Sequence, residues 1–582
     1  MNKPARSTRT EVDNRLTPLS RATQSLERWF PLMLGLVAVL LLCLRLDDVY
    51  LWQDEAETAL IARHMLAYGL PLSTDGRTWI QQEEVPFHEF SSDYVWIYHP
   101  WMQYAATALS FAVLGESTSS ARLPFALAGV ACILLLYRLA RRSQPDPGVA
   151  RLAAILLALF VPTILLARQC RYYAISAALT LLVLDSYLSL GSARQWSVPC
   201  FVLSSVLLFH TEYAAFFPVM AAVAAHALLF QRHSGRWKNL LPALVLIVLL
   251  ILPWALLIPV WHPVVGSGTT AQPGSSAGLA RVALRTIGLI GEQSLQITAW
   301  ILPLLLLPAV AAGIRANHRR DNPSSPGTGL WSLVVLLIVI HILALSLVGW
   351  SFFRYLAHLI PLLLLLAAVG LAWLLHRCKL LGYAALLVLL TTNLLHILPY
   401  RAVATAIPPA NPFWTTVQSS LATRWIGGIR ALKLRSEPLM YAQELTHPYS
   451  GPTEGLVAYL AANAKPGQTV LTNYEDLPLQ FYTRLTVYGG MSGRGLGQVE
   501  PDWVIDRQFG HYREQIAALV ASGPYERITI PYPDLRWENR EEPTKHQYLT
   551  DTTANPVVLY RRTDRGTPGR LDAVQEPPGQ DR

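Results

Sequence analysis

From Leu240 to Val260 the chain reads LLPALVLIVLLILPWALLIPV, and from Leu333 to Gly349 it reads LVVLLIVIHILALSLVG, with no Asp, Glu, Lys or Arg in either run. Such runs approach or reach the ~20 residues needed to cross a hydrocarbon core. Lipid offers the backbone no hydrogen-bond partner, so a segment like this must be a helix. Composition agrees: 52% of the 582 residues are hydrophobic and 15% are charged, against roughly a quarter charged in soluble proteins. The sequence therefore specifies a polytopic membrane protein. Residues 1–28 are polar and basic, and no small-residue cleavage site follows the first apolar run, so no cleavable signal peptide is expected.

Eleven spans are expected, at roughly 29–46, 121–140, 150–167, 172–190, 197–210, 214–230, 240–260, 296–314, 330–350, 355–375 and 380–398. The net charge of +9 suits membrane topology better than nucleic-acid binding. With the N-terminus in the cytoplasm, Arg141, Arg142, Arg194, Arg232, Arg236, Lys238, Arg315, Arg319, Arg320, Arg377 and Lys379 all fall on inner loops. Arg281 and Arg285 are the exceptions. The segment HPWMQYAATALSFAVLG (99–115) is apolar enough to span, but spanning would turn every later basic loop outward. It is expected to lie in the interface. The five cysteines are scattered, without CxxC or other metal-like spacing, and imply no disulfide framework.

The expected organisation is a cytoplasmic tail (1–28), a transmembrane domain (29–400) with a long first outer loop (51–120), a linker with interfacial helix (401–450), an extracytoplasmic α/β domain (451–562) and a disordered tail (563–582). In the α/β part, TEGLVAYLAANAKPGQTVLTNY and HYREQIAALVASGPYERITI each read as helix, turn and strand, and NPVVLYRR reads as a last strand. This part contains no cysteine, and no Gly-rich phosphate loop or catalytic constellation is expected in it. It is read as a substrate-facing or stabilising cap.

The topology collects polar residues on the outer side: Asp54, Glu55, Glu57, Arg63, His64, Asp75, Glu83, Glu84, His88, Glu89, Asp93 and His99 in the first loop, Arg168, Arg171, Tyr172 and Tyr173 in ARQCRYYA, His210, Glu212 and Tyr213 in HTEY, and Arg354 and Tyr355 in SFFRY. Carboxylates can take a proton from an acceptor, and arginines can clamp a phosphate. A site at headgroup depth admits a substrate whose tail stays in lipid. Sugar transfer from a polyprenyl phosphate needs all three. On spacing alone, Asp54 could instead be the N-cap of a helix, with Glu57 completing a capping box. That helix would end at Gly69. Arg168 and Arg171 could be snorkelling residues, and His210 and Glu212 could mark a span end. A transporter or flippase of a lipid-linked substrate is the main alternative; it would place charges, repeats or broken helices inside the spans. A membrane-anchored scaffold would leave the Asp-Glu loop without a purpose.

Five stretches in order, DEAETALIARHMLAYGLP, YHPWMQYAATALSFAVLG, SARLPFALAGVACILLLYRLARR, ARQCRYYAIS and FFRYLAHLIPLLLLLAAVGL, resemble the GT-C membrane glycosyltransferases of the family 39-like branch. That branch contains the protein O-mannosyltransferases and the lipid A aminoarabinose transferases. The resemblance runs from about residue 30 to 400. It implies an all-α GT-C fold and inverting transfer, in a bacterial inner membrane, from a polyprenyl-phosphate-linked sugar to an unidentified acceptor. It implies that Asp54 is the general base with Glu55 its neighbour, and that Arg354, Tyr355, Arg168 and Arg171 handle the lipid phosphate. Arg122 would support the first loop, and His99, Tyr172, His210 and Glu212 would support substrate. Trp101 stands where the branch has a second proline. ARQCRYYA lacks the acid of several relatives, which puts a divalent metal in doubt because one acidic loop is a poor ligand set; no other cofactor is called for.

Overall fold

The computed structural model describes residues 18–84, 89–144, 146–191, 195–232, 235–258, 276–318, 329–349, 351–406, 429, 432–536, 538–540 and 545–564. The start of the N-terminal tail, Arg194, Arg319, Arg320, residues 407–428, 430 and 431 of the linker and nearly all of the final tail lie outside these residues. In chain order, α1 (Pro18–Cys43) is followed by α2 (Gln53–Tyr68) and α3 (Met102–Leu114) in the first loop. Then come α4 (Thr118–Ser143), α5 (Pro147–Leu159), α6 (Val161–Ala167), α7 (Tyr173–Ser189), α8 (Ser197–Phe209), α9 (Tyr213–Phe230) and α10 (Trp237–Leu257). The helical part ends with α11 (Ser276–Gln296), α12 (Leu307–His318), α13 (Leu330–Val348), α14 (Ile360–Arg377), α15 (Lys379–Thr391) and α16 (Leu394–Ala406).

Every apolar segment read from the sequence falls on a helix or a bent pair of helices, yet the count of eleven spans is not reached. Among the described residues five helices (α4, α9, α10, α13 and α14) are long and apolar enough to cross a membrane, or up to eight if each bent pair is one span. The bends are 62° between α5 and α6, 79° between α11 and α12, and 90° between α15 and α16. Hydropathy counts residues across a break, whereas spanning needs an unbroken rise of about 1.5 Å per residue. Pro162 and Pro303 stand at the first two breaks, where proline cannot donate to the helix ladder. At the third, the Asn393 side chain bonds the carbonyl of Lys433 and the N–H of Arg435. α3 is 13 residues long, about 20 Å and too short to span; it packs on α2 and α4.

α14 is the hub of the helical core. It is apolar all round, and every residue from Ile360 to Ala372 is buried. It meets α12 at close range because two glycines face across the contact. A Cβ at Gly370 would lie 3.0 Å from the Val310 backbone nitrogen, and one at Gly313 would lie 2.9 Å from the Val369 carbonyl oxygen. Small residues permit this approach in lipid, where packing has to replace the hydrophobic effect.

The C-terminal part holds α17 (Glu437–Thr446), α18 (Pro452–Asn463), β1 (Thr469–Thr472), α19 (Asp476–Thr483), β2 (Thr486–Gly489), β3 (Trp503–Ile505), α20 (Arg513–Ser522), β4 (Tyr525–Pro533) and β5 (Pro556–Arg562). The sheet order is β2-β1-β3-β5-β4. β1 runs parallel to both β2 and β3, and β5 is antiparallel to β3 and β4. Both helix–turn–strand readings match these elements. The Gly-rich stretch YGGMSGRGLG, which the sequence reading passed over, forms the turns after β2, with Gly489, Gly490, Gly493, Gly495 and Gly497 all at positive φ. Because β1 has neighbours from opposite chain directions, its C-terminal end is a topological switch point, where open α/β sheets place ligands. That end faces the first loop. Gln53 donates to Asp476 at 2.9 Å, the Tyr50 N–H donates to Glu454 at 2.9 Å, and the Leu51 N–H donates to the Tyr482 hydroxyl at 2.9 Å.

Candidate active site

A cavity of about 540 Å³ opens between the first loop, the N-terminal end of α9, the C-terminal end of α13, and the switch-point edge of the C-terminal sheet. Its character changes along its length. Phe217, Pro218, Leu345, Val348 and Phe352 line one part; Asp54, Glu57, Glu89, His99, Arg171 and Arg354 line another. Tyr474, Glu475, Met491 and Arg540 close it from the C-terminal part.

α2 sets the carboxylates. The helix starts at Gln53, and its N-cap is Trp52, whose side chain makes no capping bond. Asp54 is thus inside the first turn, not the cap, and Glu57 makes no capping box with it. Gly69, at φ 75°, ends the helix as expected. Residues 54 and 57 share one helical face, and residue 55 is turned about 100° away. So Asp54 and Glu57 line the cavity while Glu55 points behind it. The Asp54 Oδ2 accepts from Arg354 Nη1 at 2.8 Å. Burial raises the Asp54 pKa, but the charges of Arg354, Arg171 and Arg540 outweigh it and hold the carboxyl below the usual aspartate value.

Glu55 is fully buried and its oxygens are taken. Arg122 donates to both, Nε to Oε1 at 2.8 Å and Nη2 to Oε2 at 2.7 Å. The Cys170 N–H adds 2.8 Å and the Asn539 amide 2.9 Å. Arg122 also donates to the carbonyls of Leu46 and Val49, both at 2.7 Å. One acid therefore ties α2, α4, the turn after α6 and the C-terminal part together, and it does not line the cavity. Its expected catalytic place is corrected accordingly: no lone pair faces a substrate.

The arginines separate as well. Arg168 does not line the cavity; it donates to the carbonyls of Leu44 at 2.7 Å and Arg45 at 2.9 Å, where α1 ends. Its charge there suits the negative end of the helix dipole. Arg171 reaches the cavity but is committed to Glu57 at 2.8 Å and the Asp54 carbonyl at 3.1 Å. Arg354 and Tyr355 sit on a short 3₁₀ turn, Phe353–Leu356, between α13 and α14. They line the cavity with Phe352, over whose ring the Arg354 guanidinium lies at 4.9 Å. His99 lies 3.6 Å from Glu57 and 3.5 Å from Arg171. Burial and the charges of Arg171 and Arg354 lower its pKa well below the usual histidine value, so it is neutral. Tyr172 and Glu212 line the cavity; His210 does not, its ring lying against Trp254 with centroids 5.0 Å apart. Among the described residues no three His, Cys, Asp or Glu side chains converge to hold a metal ion.

Sequence reasoning assigned no site role to Trp52, Tyr98, Tyr474, Glu475, Met491 or Arg540. The glycines after β2 were the available signal for the C-terminal group. Arg540 lies 4.0 Å over the Trp52 ring, a cation–π contact across the two parts of the chain. Glu475 is held by Arg507 at 3.1 Å.

The buried acids make stability depend on pH. Burial, then the neighbouring Glu57, push Glu89 up to about 8, above the ~4.3 of an unfolded chain. The folded protein then binds more protons than the unfolded one between these values. Its stability is fully present below about 4, falls as pH rises, and is lost through pH 8. The drop from this one group is up to roughly 5 kcal/mol. Glu89→Gln is expected to flatten the fall in Tm of the detergent-solubilised protein between pH 6 and 9; an unchanged slope would show that Glu89 is ionised throughout.

Residues 98–258 match the family described as dolichyl-phosphate-mannose-protein mannosyltransferase. The match takes in α3 to α10, with His99, Arg171, Tyr172 and Glu212. The structure is similar to ArnT from Cupriavidus metallidurans bound to undecaprenyl phosphate, with TM-score 0.54 and 14% identity, over 92% of this chain and 98% of that one. It is similar to the apo state of the same protein with TM-score 0.51 and 15% identity, over 93% and 98%. At this identity the likeness establishes the fold. No curated protein matches the sequence significantly.

Proposed function

The chain has the fold of the GT-C membrane glycosyltransferases, and from that premise we propose that it moves a sugar from a polyprenyl-phosphate donor to an extracytoplasmic acceptor, with inversion. One observation carries the reading: Asp54 and Arg354 form an ion pair in a cavity that both apolar and charged side chains line. A donor can lay its first isoprene units along Phe217, Leu345 and Val348 and place its phosphate at Arg354. The undecaprenyl phosphate held by ArnT supports such a donor. The N-terminus is proposed as cytoplasmic, in a bacterial inner membrane.

In the reaction, Asp54 takes the proton of the acceptor O–H. The acceptor oxygen bonds to the anomeric carbon, the bond from that carbon to the phosphate oxygen breaks, and the polyprenyl phosphate leaves on Arg354. The resting ion pair also regulates the base. A donor phosphate competes for the Arg354 guanidinium. The Asp54 carboxylate then has one fewer compensating cation beside it, and its basicity rises when the donor is bound. Glu57 and Arg171, paired with each other, form the floor on which Asp54 sits.

Arg354→Ala is expected to weaken undecaprenyl phosphate binding roughly 10- to 100-fold, the worth of a charge-assisted hydrogen bond, measured by thermal shift in detergent. Radiolabelled polyprenyl-phosphate sugars supplied to the purified protein test the reaction itself. A wild type that consumes none of them would sink this reading.

The transport alternative expects broken helices at the substrate site. The three bends instead meet at a separate cavity of about 50 Å³, lined by Phe160, Ile301, Thr392 and Asn393. That space is too small for a lipid-linked sugar, and none of the four residues lines the large cavity.

A further inference from the structure

The buried acids of the large cavity have partners, with one exception. Asp54 has Arg354, Glu57 has Arg171, Glu475 has Arg507, and Glu89 accepts from the N–H groups of Gln82 and Glu83 at 2.8 and 3.1 Å. Glu212 is 4% exposed and lines the cavity; among the described residues no cation pairs with it and neither carboxylate oxygen has a partner in good hydrogen-bond geometry, the Ser176 hydroxyl being its nearest polar neighbour. It is the N-cap residue of α9, but its side chain makes no capping bond. Helix geometry therefore does not account for it. A buried polar atom left unpaired costs stability, and each such case in a native structure calls for an explanation.

Its position supplies one. Glu212 lines the same cavity as Arg354, Tyr355 and Tyr172, at the start of α9, whose Phe217 and Pro218 add to the apolar lining. The group attached directly to a phosphate at Arg354 is the donor's own sugar. We propose that Glu212 is a specificity-determining residue that hydrogen-bonds a hydroxyl of the donor sugar, satisfying its orphaned carboxyl only when a sugar-bearing lipid is bound. This rests on the donor reading above. Burial pushes the carboxyl up to about 8, so near neutrality it is uncharged and can both donate to and accept from a hydroxyl. A bare polyprenyl phosphate, which lacks the sugar, leaves Glu212 unsatisfied.

The test compares undecaprenyl phosphate with undecaprenyl-phosphate-linked mannose, glucose and xylose, binding to detergent-solubilised wild type, Glu212→Ala, Glu212→Gln and Arg354→Ala. Wild type is expected to bind at least one sugar lipid about tenfold tighter than the bare lipid. Glu212→Ala should erase that advantage, leave bare-lipid affinity unchanged, and leave the ligand-free Tm unlowered, because it removes an unpaired group. Glu212→Gln should keep most of the advantage, since its carboxamide oxygen still accepts. The proposal is overturned if Glu212→Ala weakens both lipid types equally, if it leaves their ratio unchanged, or if no sugar lipid outbinds the bare lipid in wild type. Failure of the donor reading looks different: undecaprenyl phosphate then does not bind, or Arg354→Ala binds it as well as wild type does.

Discussion

Asp54→Asn is expected to reduce sugar transfer by roughly 10²- to 10⁴-fold, the usual worth of a positioned general base, with the fold retained. The structure makes this a clean substitution. Trp52, not Asp54, is the N-cap of α2, so no cap is lost. Asn is nearly isosteric and its oxygen can still accept from Arg354. What disappears is the proton acceptor and the negative charge. The second loss has its own signature: without a carboxylate to compete with, Arg354 should bind undecaprenyl phosphate at least as tightly as in wild type. Slower turnover with undiminished lipid binding therefore separates a base from a binding residue. The measurements are single-turnover transfer and bare-lipid affinity on the same preparation. Transfer at the wild-type rate would remove Asp54 from the mechanism.

The neighbouring acid is expected to fail in the opposite way. Glu55→Gln should destabilise the protein by about 3–5 kcal/mol, the cost of leaving one partner of a buried ion pair uncompensated. The stranded charge is Arg122, which is 3% exposed. The loss should spread, because Glu55 also accepts from the turn that carries Arg171 and from Asn539 of the C-terminal part. Arg122→Met should be equally damaging. A Glu55→Leu/Arg122→Met double variant, in which no charge is stranded, should recover part of the loss. The readouts are Tm in detergent and yield of folded protein. A Glu55→Gln variant with unchanged Tm but lost activity would return Glu55 to the chemistry.

These two adjacent residues also show how far the sequence could be read. That the chain crosses a membrane, that α2 follows the first apolar helix, and that Gly69 ends it were all legible, because they depend on local composition and on backbone preferences a few residues long. The order of five motifs also pointed to the fold that the ArnT likeness shows. Which face Asp54 and Glu55 present was legible only in part. The 3.6-residue repeat separates them by about 100°, but not which of the two directions leads to a cavity. The eleven spans are not confirmed: among the described residues the breaks at Pro162, Pro303 and Asn393 divide three of them, and α7 and α8 are shorter than a full span. Arg354 stood out in the sequence as the only Lys or Arg between Arg320 and Arg377, whereas Arg168 and Arg171 looked alike. Only their partners distinguish the end of α1, the Glu57 carboxylate and the Asp54 carboxylate.

By itself, then, the sequence determined the solvent of the fold and the chemistry available to it: long helices, because lipid leaves the backbone no other partner, and outer turns rich in acids, arginines and tyrosines. Tertiary structure decided the assignment of roles. Residues 54 and 354 are three hundred positions apart, and Glu55 and Asn539 more than four hundred. No local preference encodes such a contact. It forms because α14 buries on every side, setting the turn before it against α2, and because the sheet's switch-point edge docks on the first loop. The same packing leaves Glu212 in the wall without a charged partner among the described residues, since charge pairing is settled by which side chains arrive at a point in space and not by which ones the chain contains.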